Sequence, residues 1–411
     1  MDLASKLRRL LPPQSNHTPK VKPRECNLDP FLHGQEADTP FGPCYLIEEK
    51  RPLSSRHGHW TFKEALESDY AGLSLFGQHT GKFDLQQALF LDTETTGLAG
   101  GTGTYAFLVG LGFFTPEHFV VRQLLMRDYN EEHALLYLLD QTLQEKSTVI
   151  SFNGKTFDLP LLQTRFAISR LGLEGASGKR HVDLLHMSRR LWKRKLASCS
   201  LGSLETHILG VQRSDDIPGA EIPGRYFEFL QTGDGLLLQN IVEHNVLDIL
   251  SMATLLYRLQ TAAELSPEEC DCPCEAESLA QLTLAARNPR LALRYLEAAG
   301  QLADDDQQYL RVLSQAAAVL KRLGEHEKAV LLWQKILKYS PEDLDASEEL
   351  AKYYEHRKKD LDSARQITRR ALAAAWQKRS PKAPDFEHRL RRLDRKADAA
   401  RHTRQEPDLS Y

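Results

Sequence analysis

Residues 88–95 read ALFLDTET, from Ala88 to Thr95: an apolar run that ends in carboxylates and hydroxyls. A run this short predicts a buried strand. Alternate side chains of a strand share a face, so Asp92 and Glu94 project the same way. Two adjacent carboxylates repel unless a proton or a cation lies between them. Their hard oxygens suit Mg²⁺ or Mn²⁺. An exposed acidic strand end capped by Thr93 and Thr95 would look the same, so the pair alone does not establish chemistry.

Downstream, Gly97 to Gly103 reads as a tight Gly-rich turn, in which Gly100 and Gly101 would let a nucleic-acid strand approach the backbone. It is not a P-loop, because no Gly-Lys-Ser/Thr follows. Tyr105–Phe113 and Phe119–Leu125 read as two more strands linked around Pro116, which makes an antiparallel meander. A helix is expected from about Asn130 to Gln144, with Leu135, Leu136, Leu138 and Leu139 inward. A strand follows at Thr148–Phe152, then a helix at Leu159–Leu171. Strand and helix alternate from here, so the sheet should be mixed, with a hairpin side and a β-α-β side. Residues 184–258 read as mainly helical, ending in an apolar-striped helix over Leu236–Leu259.

Two further polar groups fall at element ends. In Ser151-Phe152-Asn153-Gly154-Lys155-Thr156-Phe157-Asp158, Asp158 opens a helix, where the dipole favours a carboxylate. A plain N-cap, with Phe157 and Leu162 as a hydrophobic staple, is compatible with a further role. His244 and Asp248 lie four apart on the late helix and so share a face. The aspartate could bind a metal and the histidine activate water, or the two could form a surface pair.

Asp-x-Glu on a strand, Asn-x-x-x-Phe-Asp at a strand-to-helix junction, and a histidine four before an aspartate occur here in that order. Together they resemble the DEDD exonuclease superfamily of ribonuclease H-like folds. Within it the chain resembles the YprB-type proteins, through FLDTETTGLAGGTGTYAFLVGLG, SFNGKTFDLPLL, VDLLHMSRRLW, and DDIPG followed by Ile222-Pro223 and Tyr226. The resemblance covers residues 86–260, and 280–375 more loosely. It implies an α/β ribonuclease H-like mixed sheet with flanking helices, and metal-dependent phosphodiester hydrolysis, typically 3′ to 5′, with two Mg²⁺ or Mn²⁺ ions. Asp92, Glu94, Asp158 and Asp248 would be the metal carboxylates, with Asp92 bridging. His244 would be the base or water-orienting group, although here a histidine occupies the spacing at which the superfamily usually has tyrosine. Two divalent ions roughly 3.5–4 Å apart would activate water and stabilise the leaving oxyanion.

From 278 onward the pattern is one of helical hairpins. Ala292, Ala329 and Ala364 lie 37 and 35 residues apart. With Leu323-Gly324, Trp333 and Pro341 around the second, and Ala351, Tyr354 and Ala371 around the third, the offsets are those of a tetratricopeptide repeat. An all-α repeat domain over 278–378 is expected, able to recruit a protein partner. The expected organisation is an irregular extension over 1–80, the ribonuclease H-like domain over 81–262, a linker over 263–277, the repeats, and a charged tail over 379–411. Within the extension, Leu3–Leu11 reads as a short amphipathic helix stopped by Pro12-Pro13, and a strand is expected near Tyr45–Glu49.

Other features carry less. Arg189, Arg190, Lys193, Arg194 and Lys195, with Trp192, form a basic stretch that could grip phosphates and stack a base, or could be a solvated helix face. Asn153 is a further candidate for contact with nucleic acid. Cys270, Cys272 and Cys274 are spaced too tightly for a zinc knuckle and fit an acidic linker. Asp183 ends a short strand, as a cap or as support for the metal site. His57-Gly58-His59 has no evident partners.

Composition sets outer limits. The 411 residues suit two to three domains, and 41% hydrophobic with 27% charged is ordinary globular usage. The net charge of −3 excludes a basic nucleic-acid coat, so any nucleic-acid contact comes from local patches. Six cysteines are too few for a disulfide scaffold. The N-terminus has no apolar signal core, and the longest apolar run, Tyr105–Phe114, is too short to span a bilayer. A cytoplasmic, divalent-metal-dependent nuclease acting on DNA or RNA is therefore expected. The alternatives are a non-catalytic nucleic-acid-binding adaptor, which would be expected to have lost one of the four carboxylates, and a structure-specific endonuclease.

Overall fold

A computed structural model describes residues 28, 31–77, 84–97, 102–172, 175, 178–214 and 216–405. The helix expected at Leu3–Leu11, and Gly100 and Gly101, lie outside the described residues. Seven strands form one mixed sheet: β1 (Gly34–Thr39), β2 (Gly42–Pro52), β3 (Ala88–Thr95), β4 (Ala106–Phe114), β5 (His118–Leu125), β6 (Thr148–Ser151) and β7 (Arg180–Asp183). Their order across the sheet is β1-β2-β5-β4-β3-β6-β7. The meander β3-β4-β5 is antiparallel, and β6 joins β3 in parallel with Ala88 opposite Thr148 and Phe90 opposite Ile150. This is the mixed sheet the sequence predicts. The expectation of an irregular stretch up to residue 80 is corrected: β1 and β2 extend the meander, β2 pairing antiparallel with β5 from Tyr45–Leu125 to Pro52–His118. β1 reads GQEADT and lies at the sheet edge, where polar strands are tolerated.

The helices, in chain order, are α1 (Phe62–Glu67), α2 (Glu132–Gln144), α3 (Asp158–Ile168), α4 (Leu184–Trp192), α5 (Leu201–Leu204), α6 (Ile222–Thr232), α7 (Leu236–Glu264), α8 (Pro273–Ala285), α9 (Pro289–Gln301), α10 (Asp306–Arg322), α11 (His326–Tyr339), α12 (Leu344–Tyr353), α13 (Leu361–Gln377) and α14 (Ala383–Gln405). The stretch expected as a linker is corrected as well: α7 runs to Glu264 and α8 begins at Pro273, a residue suited to a first helical turn. No helix among the described residues is long and apolar enough to cross a membrane.

The chain divides into two compact units. One comprises residues 1–55, 85–181 and 213–250, and the other 56–84, 182–212 and 251–411. In the first, the inner sheet residues Leu89, Leu91, Val109 and Leu124 pack with Leu135, Leu139, Phe166 and Tyr226. In the second, the helices from α8 on form hairpins. Ala292, Ala329 and Ala364 are each the fourth residue of a hairpin's second helix, and each is fully buried. The repeated alanine therefore marks where paired helices approach most closely.

Candidate active site

The first unit brings Asp92, Glu94, Asp158, His244 and Asp248 together. Asp92 and Glu94 leave one face of β3, as period-2 geometry requires, just before a register shift between Glu94 and Thr95. Asp158 is the first residue of α3; the N-cap is Phe157, and no side chain caps the helix there. The reading of Asp158 as an N-cap is thus corrected. Its Oδ1 instead accepts a hydrogen bond from Thr93 Oγ1 at 2.6 Å, across to β3. Thr93 lies between the two β3 carboxylates in sequence and ties the third to the strand. Asn153, expected to contact nucleic acid, adopts φ +67, a region asparagine tolerates. Its Oδ1 accepts from Thr156 Oγ1 at 2.7 Å, so it shapes the turn that delivers Asp158.

Burial and mutual repulsion dominate the electrostatics. Asp92 is half-buried, but protein atoms surround its carboxylate, and burial is the largest cause of a pKa held well above the ordinary range. Asp248, Glu94 and Asp158 push the same way, while the Asn245 hydrogen bond opposes them. Glu94 is raised from 4.5 to about 7 by burial first, with His244 opposing and Asp248 and Asp158 adding to the rise. Asp92 and Glu94 therefore both feel the charges of Asp158 and Asp248. A group whose folded pKa exceeds its unfolded one stabilises the protein below the unfolded value and loses that stabilisation as pH rises through the folded one. In chelator, the melting temperature should therefore fall as pH rises from about 4.5 to about 7. Glu94→Gln should flatten that slope; melts across this range check it, and equal slopes would contradict it.

Asp92 is held from behind by residues the sequence reading did not single out. Asn245 Nδ2 donates to Asp92 Oδ2 at 2.8 Å, and Gln123 Nε2 donates to Asn245 Oδ1 at 2.8 Å and to Val242 O at 2.9 Å. Asp92, Gly110 and Gln123 occupy one row across β3, β4 and β5. Gly110 leaves the gap that Asn245 fills: a Cβ there would stand 2.7 Å from Asn245 Cγ and closer still to Oδ1. Gly110→Ala should therefore displace Asn245. The expected cost is about 1–3 kcal/mol from overpacking. Activity should fall about 10–100-fold, as when other supports of a metal ligand are lost. Thermal melts and cleavage rates check both.

Arg213 and Asp216 were not singled out either. Arg213 Nη2 donates to Asp248 Oδ1, and its Nη1 lies 3.3 Å from both Asp216 Oδ2 and His244 Nδ1. His244 Nδ1 makes a shorter contact, 2.6 Å, with Asp216 Oδ1, and Nε2 lies 3.8 Å from Asp248 Oδ2. The short contact fixes the tautomer: Nδ1–H donates to Asp216 and Nε2 faces the carboxylates. Burial lowers the His244 pKa, but Asp248, the Asp216 hydrogen bond and Glu94 together outweigh it, so the net shift is upward. The surrounding carboxylates thus favour the protonated imidazole more than they would for a free histidine.

No three His, Cys, Asp or Glu side chains among the described residues are already arranged as a metal cluster. The donor chemistry nevertheless fits a hard divalent cation. Asp92 and Glu94 keep raised pKa values despite the charge that His244 and Arg213 bring to Glu94, and their hard oxygens suit such a cation.

The remaining candidates belong to the second unit. Trp192, expected to stack a base, is fully buried, with Arg258 lying 5.6 Å from its ring centroid; that role is corrected. Arg189, Arg190, Lys193, Arg194 and Lys195 are exposed. Asp183 accepts from Leu185 N at 3.1 Å as the N-cap of α4. His57 Nε2 lies 2.7 Å from Ser251 Oγ, which donates to Glu205 at 2.5 Å, in a buried polar network. Cys270 is buried and its thiol is pushed up to about 11, by desolvation first.

Comparisons with known proteins agree with this architecture. A family model described as the RNase_H superfamily matches residues 89–260. The chain is 32% identical over 378 residues to the uncharacterized protein YprB of Bacillus subtilis (strain 168), covering 90% of this chain and 88% of that protein. Among solved structures, a family B DNA polymerase from the hyperthermophilic archaeon Pyrobaculum calidifontis matches with TM-score 0.34 at 13% identity, over 66% of this chain and 34% of that one. A likeness that low carries nothing about function.

Proposed function

The chain belongs to the YprB family of the ribonuclease H superfamily, and from its carboxylate cluster we propose that it is a divalent-metal-dependent nuclease that removes nucleotides from the 3′ end of a nucleic-acid strand. The observation that carries this reading is the convergence of Asp92, Glu94, Asp158 and Asp248, the last two adding to the cost of charging the first two. These four would hold Mg²⁺ or Mn²⁺, two ions in all, and the ions supply water activation and oxyanion stabilisation when bound.

The protein's own groups do the rest. Asp216 fixes His244 through Nδ1, so that Nε2 is the atom that accepts the proton of the attacking water. Asn245 and Gln123 fix the rotamer of Asp92. Thr93 fixes Asp158. Arg213 neutralises one oxygen of Asp248 and leaves the other facing His244. A cluster kept only to bind nucleic acid would not need four crowded carboxylates, which repel phosphates unless cations intervene.

Pure protein incubated with single- and double-stranded DNA and RNA, each labelled at the 5′ or the 3′ end, tests the reading. With Mn²⁺, 5′-labelled strands should shorten into a ladder one nucleotide at a time, and chelator should stop the reaction. Internal cuts as the first products would favour an endonuclease. No cleavage of any substrate would favour the adaptor.

A further inference from the structure

The exposed basic stretch at the C-terminal end of α4 lines a cavity. Arg189 and Arg190 lie in the last turn of α4, Lys193 is its C-cap and Arg194 follows in the turn beyond. Leu184, Leu185, Ser188, Leu191 and Trp192 are buried. With Ser278 and Gln281 of α8 the four cations line a cavity of about 510 Å³. That is within the roughly 300–1,000 Å³ range of small-ligand sites, larger than a lone ion requires.

The charges are not used up in structural pairs. The fifth cation of the run, Lys195, is paired with Glu275 at 2.9 Å. Arg190 Nη1 donates to the carbonyl of Phe76 at 2.6 Å, which orients the guanidinium without neutralising it. The nearest acid to the group is Glu277, 3.8 Å from Arg194, and its carboxylate already binds Arg311 at 2.8 and 3.1 Å. Among the described residues Arg189, Arg190 and Lys193 have no acidic partner within ion-pair distance. A helix C-terminus favours cations by about 0.3–1 kcal/mol each, which accounts for one or two of them but not for four converging on one cavity.

We infer that this cavity is a phosphate-binding cradle that holds the sugar-phosphate backbone of a nucleic-acid strand, with Arg189, Arg190, Lys193 and Arg194 as its cations. Arginine forks match phosphate oxygens in pairs, and lysine adds a point charge. The inference rests on the nuclease reading only for the choice of ligand.

The test is equilibrium binding in chelator, where nothing is cleaved. A single strand of about 20 nucleotides, longer than the usual single-strand site, is titrated by fluorescence anisotropy across a salt series, as DNA and as RNA. Arg189→Gln/Lys193→Gln should weaken binding of whichever strand binds the unaltered chain. It should also reduce the slope of log affinity against log salt by about 1.4, or about 0.7 per lost phosphate contact. Lys338→Gln/Arg370→Gln removes the same charge from exposed positions elsewhere and should leave the slope unchanged. An unchanged slope in the first variant, or an equal loss in the second, overturns the cradle, as does a protein that binds neither strand. If the slope falls as expected but the unaltered protein cleaves nothing with Mn²⁺, the nuclease reading falls and the cradle stands.

Discussion

Asp92→Asn should lose cleavage by more than the roughly 10²–10⁴ that a single acid–base group contributes, and should not melt earlier than the unaltered protein in chelator. The two expectations have one cause. Asp92 sits where three other carboxylates and burial all oppose its charge, so a neutral group of the same shape relieves repulsion. Asn245 donates to Asp92 Oδ2 and can donate equally to an asparagine oxygen, which keeps the Gln123–Asn245 support in place. The same substitution removes one carboxylate from the set that would hold a cation together with Glu94 and Asp158. End-labelled cleavage assays and parallel melts measure the two effects. A variant within tenfold of normal activity would remove Asp92 from the mechanism, and a much lower melting temperature would make the loss a folding effect.

His244→Ala should lower turnover by about 10²–10⁴ while leaving divalent-cation binding in place, and should flatten the acidic limb of the pH–rate profile. Nε2 is the free nitrogen, since Nδ1 is held at 2.6 Å by Asp216. That contact also gives a sign to a second variant. Asp216 is one of the groups that raise the His244 pKa, so Asp216→Asn should move the acidic limb to lower pH. A merely structural Asp216 would lower the rate without moving the limb. An unchanged rate and profile in His244→Ala would make the histidine a bystander.

Much of this site was legible because strand and helix periods are strict. Asp92 and Glu94 had to share a face of β3, and His244 and Asp248 had to share a face of α7. What was not legible depended on register. Gly110, Gln123 and Asn245 become one unit only once β3, β4 and β5 are aligned row by row. Arg213 gave no signal of its own in a segment without regular structure, although it lies two residues before the DDIPG motif.

Two misreadings have different causes. Trp192 could have been placed correctly: with Leu184, Leu185, Ser188 and Leu191 it continues the inner stripe of α4 at i, i+1, i+4, i+7, i+8, and its basic neighbours in sequence drew attention to the wrong face. The edge strand β1 was harder. GQEADT has no apolar alternation, because an edge strand need not bury a face, and its pairing with β2 is long-range information.

The claim on which the rest depends is that the four carboxylates hold divalent cations. Calorimetric titration with Mn²⁺ near pH 7, repeated in buffers of different ionisation enthalpy, tests it most directly. Burial and the neighbouring carboxylates make Glu94 and Asp92 hold their protons to higher pH than ordinary carboxylates, so a cation that binds them expels protons. Mn²⁺ uptake should occur with a heat that changes with the buffer, and should be lost in Asp92→Asn. No uptake, or uptake with no buffer dependence and the same affinity in Asp92→Asn, would contradict the claim.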